Sequence, residues 1–472
     1  MVRVFKSVST LCVTILAVAI LMAGCGSKSS SQQAGTVNID PLALFTSIKN
    51  GSQQSIAHSL GGWDWSSFVS NFGTLLINIK YTLDMQKVTY QSTGADGKIH
   101  SMTGLLILPR SISGSKPSVP ILMYQHGTEV YRPFSPSRYL THLDSPTNYP
   151  EVMVAALIAS TGYAVALVDY EGMGDNTDPQ PHVVGARLAQ QVIDLLIASR
   201  GIIGGSNSPC SWNNQLFLMG YSEGGYVTMI VTRELQLNPV SPFTVTASAP
   251  LSGPYDLSGV MRKVILGEIL TEPDGTFKAP YFVPMLLTSY NYAYGINGVH
   301  TSLFSSEFAM LPKYNNSIPP LFALFDGNSQ SDTISEAMGM TFSSVNPILI
   351  VPKSTLTQAF IDDLTSNTSA GSAFAFLQEN DSYLYPGNVN LVWVPTVPMR
   401  MIHDVNDDLV PYANSQVAYD AFIAAGANPT NVELVQNNVV INNPSDPVKT
   451  VHFGAAFPEL IDGWRWINGF KH

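Results

Sequence analysis

A serine with a glycine two residues to either side stands at Gly220-Tyr221-Ser222-Glu223-Gly224, directly after the apolar run Leu216–Met219. A hydroxyl on a tight strand-to-helix turn is exposed for attack on a carbonyl carbon, and the small flanking residues let the chain fold back on itself. The bare pattern is weak; its place between an apolar strand and a helical stretch gives it chemical meaning. A serine also needs a base to take its proton, and the base needs a carboxylate to orient it. His452, in Thr450-Val451-His452-Phe453-Gly454, is the candidate base and falls shortly before a final helix containing Trp464 and Trp466. Its rival His403 precedes the candidate acids and sits at a strand end, and His472 is the terminal residue. Three carboxylates compete within His403-Asp404-Val405-Asn406-Asp407-Asp408-Leu409-Val410-Pro411. Asp404 follows the strand Val397–Ile402 almost directly. Asp407 lies a turn further on, which gives it the reach to meet a histidine from another loop. Asp408 is placed to face solvent or to cap the helix that follows. Asp407 is the choice, with Asp404 second.

Attack on a carbonyl builds negative charge on its oxygen, which two backbone N–H groups must meet. Glu223, next after the serine, offers one; Thr128 offers the other, from Gln125-His126-Gly127-Thr128 at the end of the short strand Val119–Tyr124. The elements that carry these groups follow from hydrophobic period. Lys87–Gln91 and Ser101–Leu108 read as a hairpin joined by Gly94-Ala95-Asp96-Gly97. Residues 151–161 and 182–200 have helical spacing, the second through Val183, Val184, Leu188, Val192, Leu195 and Leu196, with Gly201 as a stop. Ala164–Val168, Gln215–Met219 and Thr244–Ala249 read as strands, and a helix runs from Gly224-Gly225 to about Glu234. This alternation predicts an α/β fold with a mostly parallel sheet flanked by helices. From about Asp256 to Pro386 come helix-like fragments and loops, with aromatics at Tyr281, Phe282, Tyr290, Tyr292 and Tyr294. Far more chain separates Ser222 from Asp407 than the roughly 60–70 residues that two β-α-β steps need. Residues 256–386 are therefore read as an inserted, largely helical cap, whose aromatics either form a small core of their own or shape an acyl pocket. A strand at Val397–Ile402, a helix near Asn414–Ala425 and a strand near Val432–Val435 complete the pattern.

Together these residues resemble the bacterial and fungal secretory-lipase branch of the α/β-hydrolases. The resemblance runs from about Val88 to the C-terminus and rests on Tyr124–Thr128, Asp169-Tyr170-Glu171-Gly172-Met173-Gly174, Gly220–Gly225, Gly253-Pro254-Tyr255-Asp256-Leu257 and the segments around Asp407 and His452. Asp407 also matches that family's Asp-x-x-Val-Pro turn. The resemblance implies ester hydrolysis with Ser222, Asp407 and His452 as triad, beneath a helical cap. Glu223 departs from the family, whose members often carry Gln or Gly there, and it puts a carboxylate beside the nucleophile. Fungal relatives lean on disulfides that cannot form here. Asp169 and Asp175, in the glycine turn after a strand, are expected to cap neighbouring amides rather than to react. A peptidase of similar fold, and a catalytically inactive surface-binding protein on the same scaffold, are the competing readings.

Composition bounds the rest. Apolar residues make up 45% of the 472 and charged residues only 12%, against roughly 25% in average soluble proteins, so most of the chain can bury a core. The formal charge is −11 and no Lys/Arg cluster occurs, which argues against a nucleic-acid partner. Arg3 and Lys6 precede the apolar run Val8–Met22, and Met22-Ala23-Gly24-Cys25 resembles a bacterial lipobox. That likeness implies a lipoprotein signal peptide at 1–24, lipidation at Cys25, a tether and arm over 25–60, and anchoring to the cell envelope outside the cytoplasm. A signal anchor or a secreted protein is the alternative. The hydrolase core then spans 61–255 and 387–472. Cys12 falls in the signal and Cys25 takes lipid, leaving Cys210 as a lone, unreactive thiol. No metal-ligand spacing or phosphate-binding loop appears, so neither metal nor cofactor is expected. The expected partner is a small-molecule or lipid ester.

Overall fold

The computed structural model describes residues 35–51, 68, 70, 72, 78–295, 324–338, 350–366, 369–439 and 450–472. The signal segment 1–24, Cys25 and the start of the tether lie outside them. By its contacts the chain divides into Met1–Thr36 and Val37–His472; the helices and the site described below belong to the second unit.

Nine strands form one sheet: β1 (Thr36–Ile39), β2 (Thr82–Thr93), β3 (Ile99–Arg110), β4 (Ser118–Gln125), β5 (Ala164–Val168), β6 (Ser211–Tyr221), β7 (Val245–Leu251), β10 (Met399–Asp404) and β11 (Val432–Asn437). A small separate hairpin is made by β8 (Leu384–Tyr385) and β9 (Asn388–Val392). The order in the large sheet is β1-β2-β3-β5-β4-β6-β7-β10-β11. Neighbours from β5 to β11 run parallel, while β2–β3 and β3–β5 are antiparallel. Alternate residues of the parallel strands point to opposite faces, and both faces are covered. Leu106, Met123, Ala166 and Leu218 pack with α3 (Gly185–Gly204) and α4 (Glu223–Leu237) through Val192, Leu195, Val227 and Ile230. Leu105, Leu122, Val165 and Phe217 pack on the other face with α2 (Pro150–Ser160) and α10 (Val451–Asn468) through Val154, Leu157, Phe457 and Leu460. The first described helix, α1 (Pro41–Gly51), adds Leu44 and Phe45 to this second core.

Strands β7 and β10 pair directly, Ser248 with Met399 and Leu251 with Ile402, although the longest excursion of the chain separates them. Its described elements are short: a π-helical turn at Leu257–Met261, α5 (Phe282–Tyr294), α6 (Ser331–Ala337), α7 (Gln358–Ser366) and α8 (Ala373–Glu379). Helix α9 (Ala413–Ala424) joins β10 to β11.

Both ends of α3 differ from the expectation for physical reasons. Helix α3 begins at Gly185 rather than 182, because Val183 takes φ 49°, outside the helical region. It also runs past Gly201 to Gly204: a Cβ at Gly201 would meet open space, and the next turn buries Ile203. A glycine weakens a helix but does not stop it when the following residue still packs.

Candidate active site

The turn after β6 is built by close approach. A Cβ on Gly224 would lie 1.9 Å from the Gln125 carbonyl oxygen, and one on Gly220 would lie 2.4 Å from the same atom. Only glycine lets α4 start this near β4. Ser222 sits at the apex with φ 60° and ψ −124°, its N–H donating to the Leu251 carbonyl at 2.9 Å. That left-handed conformation is costly for a residue with a Cβ. It turns the hydroxyl outward, and Oγ lies 2.8 Å from Nε2 of His452.

His452 is not ahead of the last helix, as its sequence suggested, but inside the first turn of α10. Thr450 caps that helix by accepting from Phe453 N–H at 3.1 Å, so the helix starts at Val451, one residue before the histidine. Tyr221 O–H donates to the His452 carbonyl at 2.5 Å. On the far side of the ring, Nδ1 is 2.5 Å from Asp407 Oδ2.

The three competing aspartates take three different places. Asp407 Oδ1 accepts from Leu409 and Val410 N–H at 2.9 and 2.8 Å, which leaves Oδ2 for imidazole. Nε2 of His403 also approaches that oxygen, at 3.3 Å, while bonding Val410 carbonyl at 2.7 Å. Burial works against the Asp407 charge, yet His452 and His403 together hold its carboxyl well below the usual carboxylate range. Asp404 faces away, accepting from Asn406 and Val439 N–H. Asp408 neither faces solvent nor caps α9: it is buried, 2.8 Å from Lys278 Nζ, and accepts His452 backbone N–H at 3.3 Å. Asp407 thus meets the ring and Asp408 the backbone of one histidine.

On the opposite side, Gly127 packs against the serine; a Cβ there would lie 3.6 Å from Ser222 Cβ. Gly127 N–H donates to both Glu151 oxygens at 3.1 Å, and its carbonyl accepts from His126 Nδ1–H at 2.7 Å. Because a trans peptide points its C=O and N–H oppositely, that bond directs Thr128 N–H away from His126. Thr128 N–H meets no backbone acceptor among the described residues, and Thr128 lines the same cavity as Ser222. Glu223 is the first residue of α4, so its N–H lacks an intrahelical acceptor.

Sequence reasoning missed Glu151 and the supporting role of His403. Glu151 had a signal: it is the lone charge on α2, whose residues from Val152 to Ser160 are all buried. Enclosure of its carboxyl beneath the loop pushes its pKa up to about 8, against hydrogen bonds from Gly127 and Tyr124. The folded state therefore holds a proton that the unfolded chain, with a value near 4.5, releases. The stability this group contributes is full below that lower value and is lost as pH rises toward about 8. Glu151→Gln should flatten the fall of melting temperature across this window. Identical slopes for variant and wild type in calorimetry would refute the enclosed carboxyl.

The cavity beside Ser222 is small, ≈ 60 Å³, and mostly apolar, with Met261, Phe277, Phe282, Leu286 and Val410 among its walls. Of the five aromatics singled out in the sequence, only Phe282 lines it. Tyr281 and Tyr290 are buried in the packing of the excursion, Tyr292 donates to Glu171, and Tyr294 stacks on Phe376. Asp169 is structural, accepting from Ser137 N–H and Thr103 O–H; Asp175 does not cap amides but pairs with Lys87 and Arg138. Cys210 is buried, and that burial pushes its thiol up to about 11. Among the described residues one set of potential metal ligands gathers, Asp96, His100 and Glu171; none of them lines the Ser222 cavity.

No protein-family model and no curated protein matches the sequence itself. Solved structures do match. The chain is similar to a candidate hydrolase of Legionella pneumophila (22% identity over 93% of this chain and 97% of that one, TM-score 0.66). It is also similar to LipA, described as a rice cell wall degrading esterase, from Xanthomonas oryzae (23% identity, 85% and 95%, TM-score 0.67). Candida antarctica lipase A in its closed state is more distant (15% identity, 82% and 77%, TM-score 0.52). At these identities the likeness concerns architecture, and with the sheet order above it establishes that the chain has the α/β-hydrolase fold.

Proposed function

We propose that this protein is a serine hydrolase of carboxylic esters. The observation that carries the reading is the line of hydrogen bonds from Ser222 Oγ through both nitrogens of His452 to Asp407 Oδ2. In the proposed reaction His452 takes the Ser222 proton as Oγ attacks the ester carbonyl, and the oxyanion forms against the N–H groups of Thr128 and Glu223. Collapse expels the alcohol, which receives that proton from His452. Water, activated by the same imidazole, then releases the acid. Asp407 keeps the proton of neutral His452 on Nδ1 and stabilises the imidazolium as it forms.

The apolar cavity favours an ester with an apolar acyl group over a peptide, and its ≈ 60 Å³ favours a short chain. The excursion after β7 serves as the cap over this cavity, contributing Phe277, Phe282 and Leu286 to its walls. The esterase and lipase among the similar structures agree with this reading. A fluorophosphonate probe should label one serine, Ser222, and p-nitrophenyl acetate and butyrate should turn over faster than the palmitate. Absence of labelling would favour the inactive binding scaffold; cleavage of peptide but not ester substrates would favour the peptidase. Lipidation at Cys25 after removal of 1–24 belongs to the same proposal, on the strength of the lipobox-like sequence. Metabolic palmitate labelling that survives Cys25→Ala would reject it.

A further inference from the structure

Among the described residues, one carboxyl–imidazole pair touches the cavity outside the line from Ser222 to Asp407. Glu223 is buried, with Oε1 2.9 Å from His182 Nδ1 and accepting from Val183 N–H at 3.3 Å. Both partners line the cavity beside Ser222, and both also line a smaller chamber bounded by His126, Glu129, Tyr170 and Gln180. The pair therefore stands between the Ser222 cavity and this second chamber. Burial works against the Glu223 charge, but His182, with His126 and Val183 N–H, holds the carboxyl below its ordinary range.

The loop bearing His182 is gripped from its other side by α5. His182 N–H donates to Ser289 Oγ at 3.0 Å, and that hydroxyl reaches the Gln180 carbonyl at 2.7 Å. The imidazole stacks on Phe282, ring centres 5.9 Å apart and planes 16° from parallel. The next residue, Val183, holds φ 49°, a conformation that β-branched side chains resist and that persists only when neighbours impose it. Ser222, at the N-cap of α4, makes no side-chain cap bond; beside the backbone bonds of Ser222 to Tyr226 and Leu251, the Glu223 side chain adds a further tie to the first turn.

We infer that His182 and Glu223 are positioning residues for the ester hydrolysis proposed above, on which this inference rests. Their contact clamps the strained Pro181–Val184 loop to the residue whose N–H meets the developing oxyanion. The carboxylate and that N–H belong to one residue, so a freed side chain loosens the donor. A donor that acts on the transition state and not on the bound ester shows its loss in kcat, with KM preserved.

The test is per-site kinetics on p-nitrophenyl butyrate, with reactive serine counted by fluorophosphonate titration. Glu223→Ala and His182→Ala should lower kcat per titrated serine about 10- to 100-fold, with KM unchanged. His182→Asn, whose side-chain NH2 can donate to the Glu223 carboxylate, should restore most of that rate. Unchanged kcat in the first two variants, a rise in KM alone, or a His182→Asn enzyme as slow as His182→Ala overturns the clamp. A wild-type protein that neither labels nor turns over overturns the hydrolase reading instead, before any variant is compared.

Discussion

Ser222→Ala is expected to lower kcat about 10⁶-fold, leaving a residual rate about 10³-fold above the uncatalysed reaction from the oxyanion donors and substrate binding. The variant should fold as the wild type does. Among the described residues, Ser222 makes one side-chain hydrogen bond, Oγ with His452, and its backbone bonds to Leu251 and Tyr226 stay available to alanine. Alanine carries the same Cβ, so the left-handed turn costs it what it costs serine. Melting temperature and circular dichroism are the controls, and ester turnover with fluorophosphonate labelling is the readout. Turnover unchanged in a folded variant would remove Ser222 from the reaction, and with it the roles assigned to His452 and to the N–H groups of Thr128 and Glu223.

The central strands were legible in the sequence because they are buried on both faces. Ala164–Val168 is an unbroken apolar run and its limits match β5, while Val119–Tyr124 misses β4 by one residue at each end. Ser222 was legible for a related reason: Gly220 and Gly224 are demanded by the approach of β4, and such a demand leaves its mark in residue type. The surroundings of His452 were harder to read. Thr450 acts as a cap through a hydrogen bond to Phe453, and a lone threonine before Val-His-Phe-Gly carries no helical period. Asp408 illustrates a further limit. Its partner Lys278 lies on the excursion, 130 residues earlier in the chain, and the pairing of two remote charges has no local signature. His403 was weighed as a rival base because a histidine at a strand end looks available. It is fully buried, its ring nitrogens bonding Ser415 Oγ and the Val410 carbonyl, so its part is to support the aspartate.

Asp407→Asn should lower kcat on the order of 10⁴-fold at neutral pH while leaving the fold intact. The carbonyl of the new side chain has an evident place, accepting from Leu409 and Val410 N–H as Oδ1 does now. That choice directs the NH2 toward His452 Nδ1, 2.5 Å away in the wild type. An NH2 group is a donor, so Nδ1 must become the acceptor and the ring proton moves to Nε2. Ser222 then faces an N–H in place of a lone pair and loses its base. His403 cannot relieve this, because its own Nε2 is engaged with the Val410 carbonyl. The neighbouring substitutions should cost far less. Asp404→Asn disturbs bonds from Asn406 and Val439 N–H, which lead toward β11 and not to the imidazole. Asp408→Asn weakens the pairing with Lys278, which keeps Glu272 at 2.8 Å, and it retains an oxygen for His452 N–H. The three variants therefore separate ring orientation from backbone support of the same histidine. If Asp404→Asn proves as damaging as Ser222→Ala while Asp407→Asn stays active, the orienting carboxylate is Asp404, and the 2.5 Å contact to Asp407 has no part in turnover.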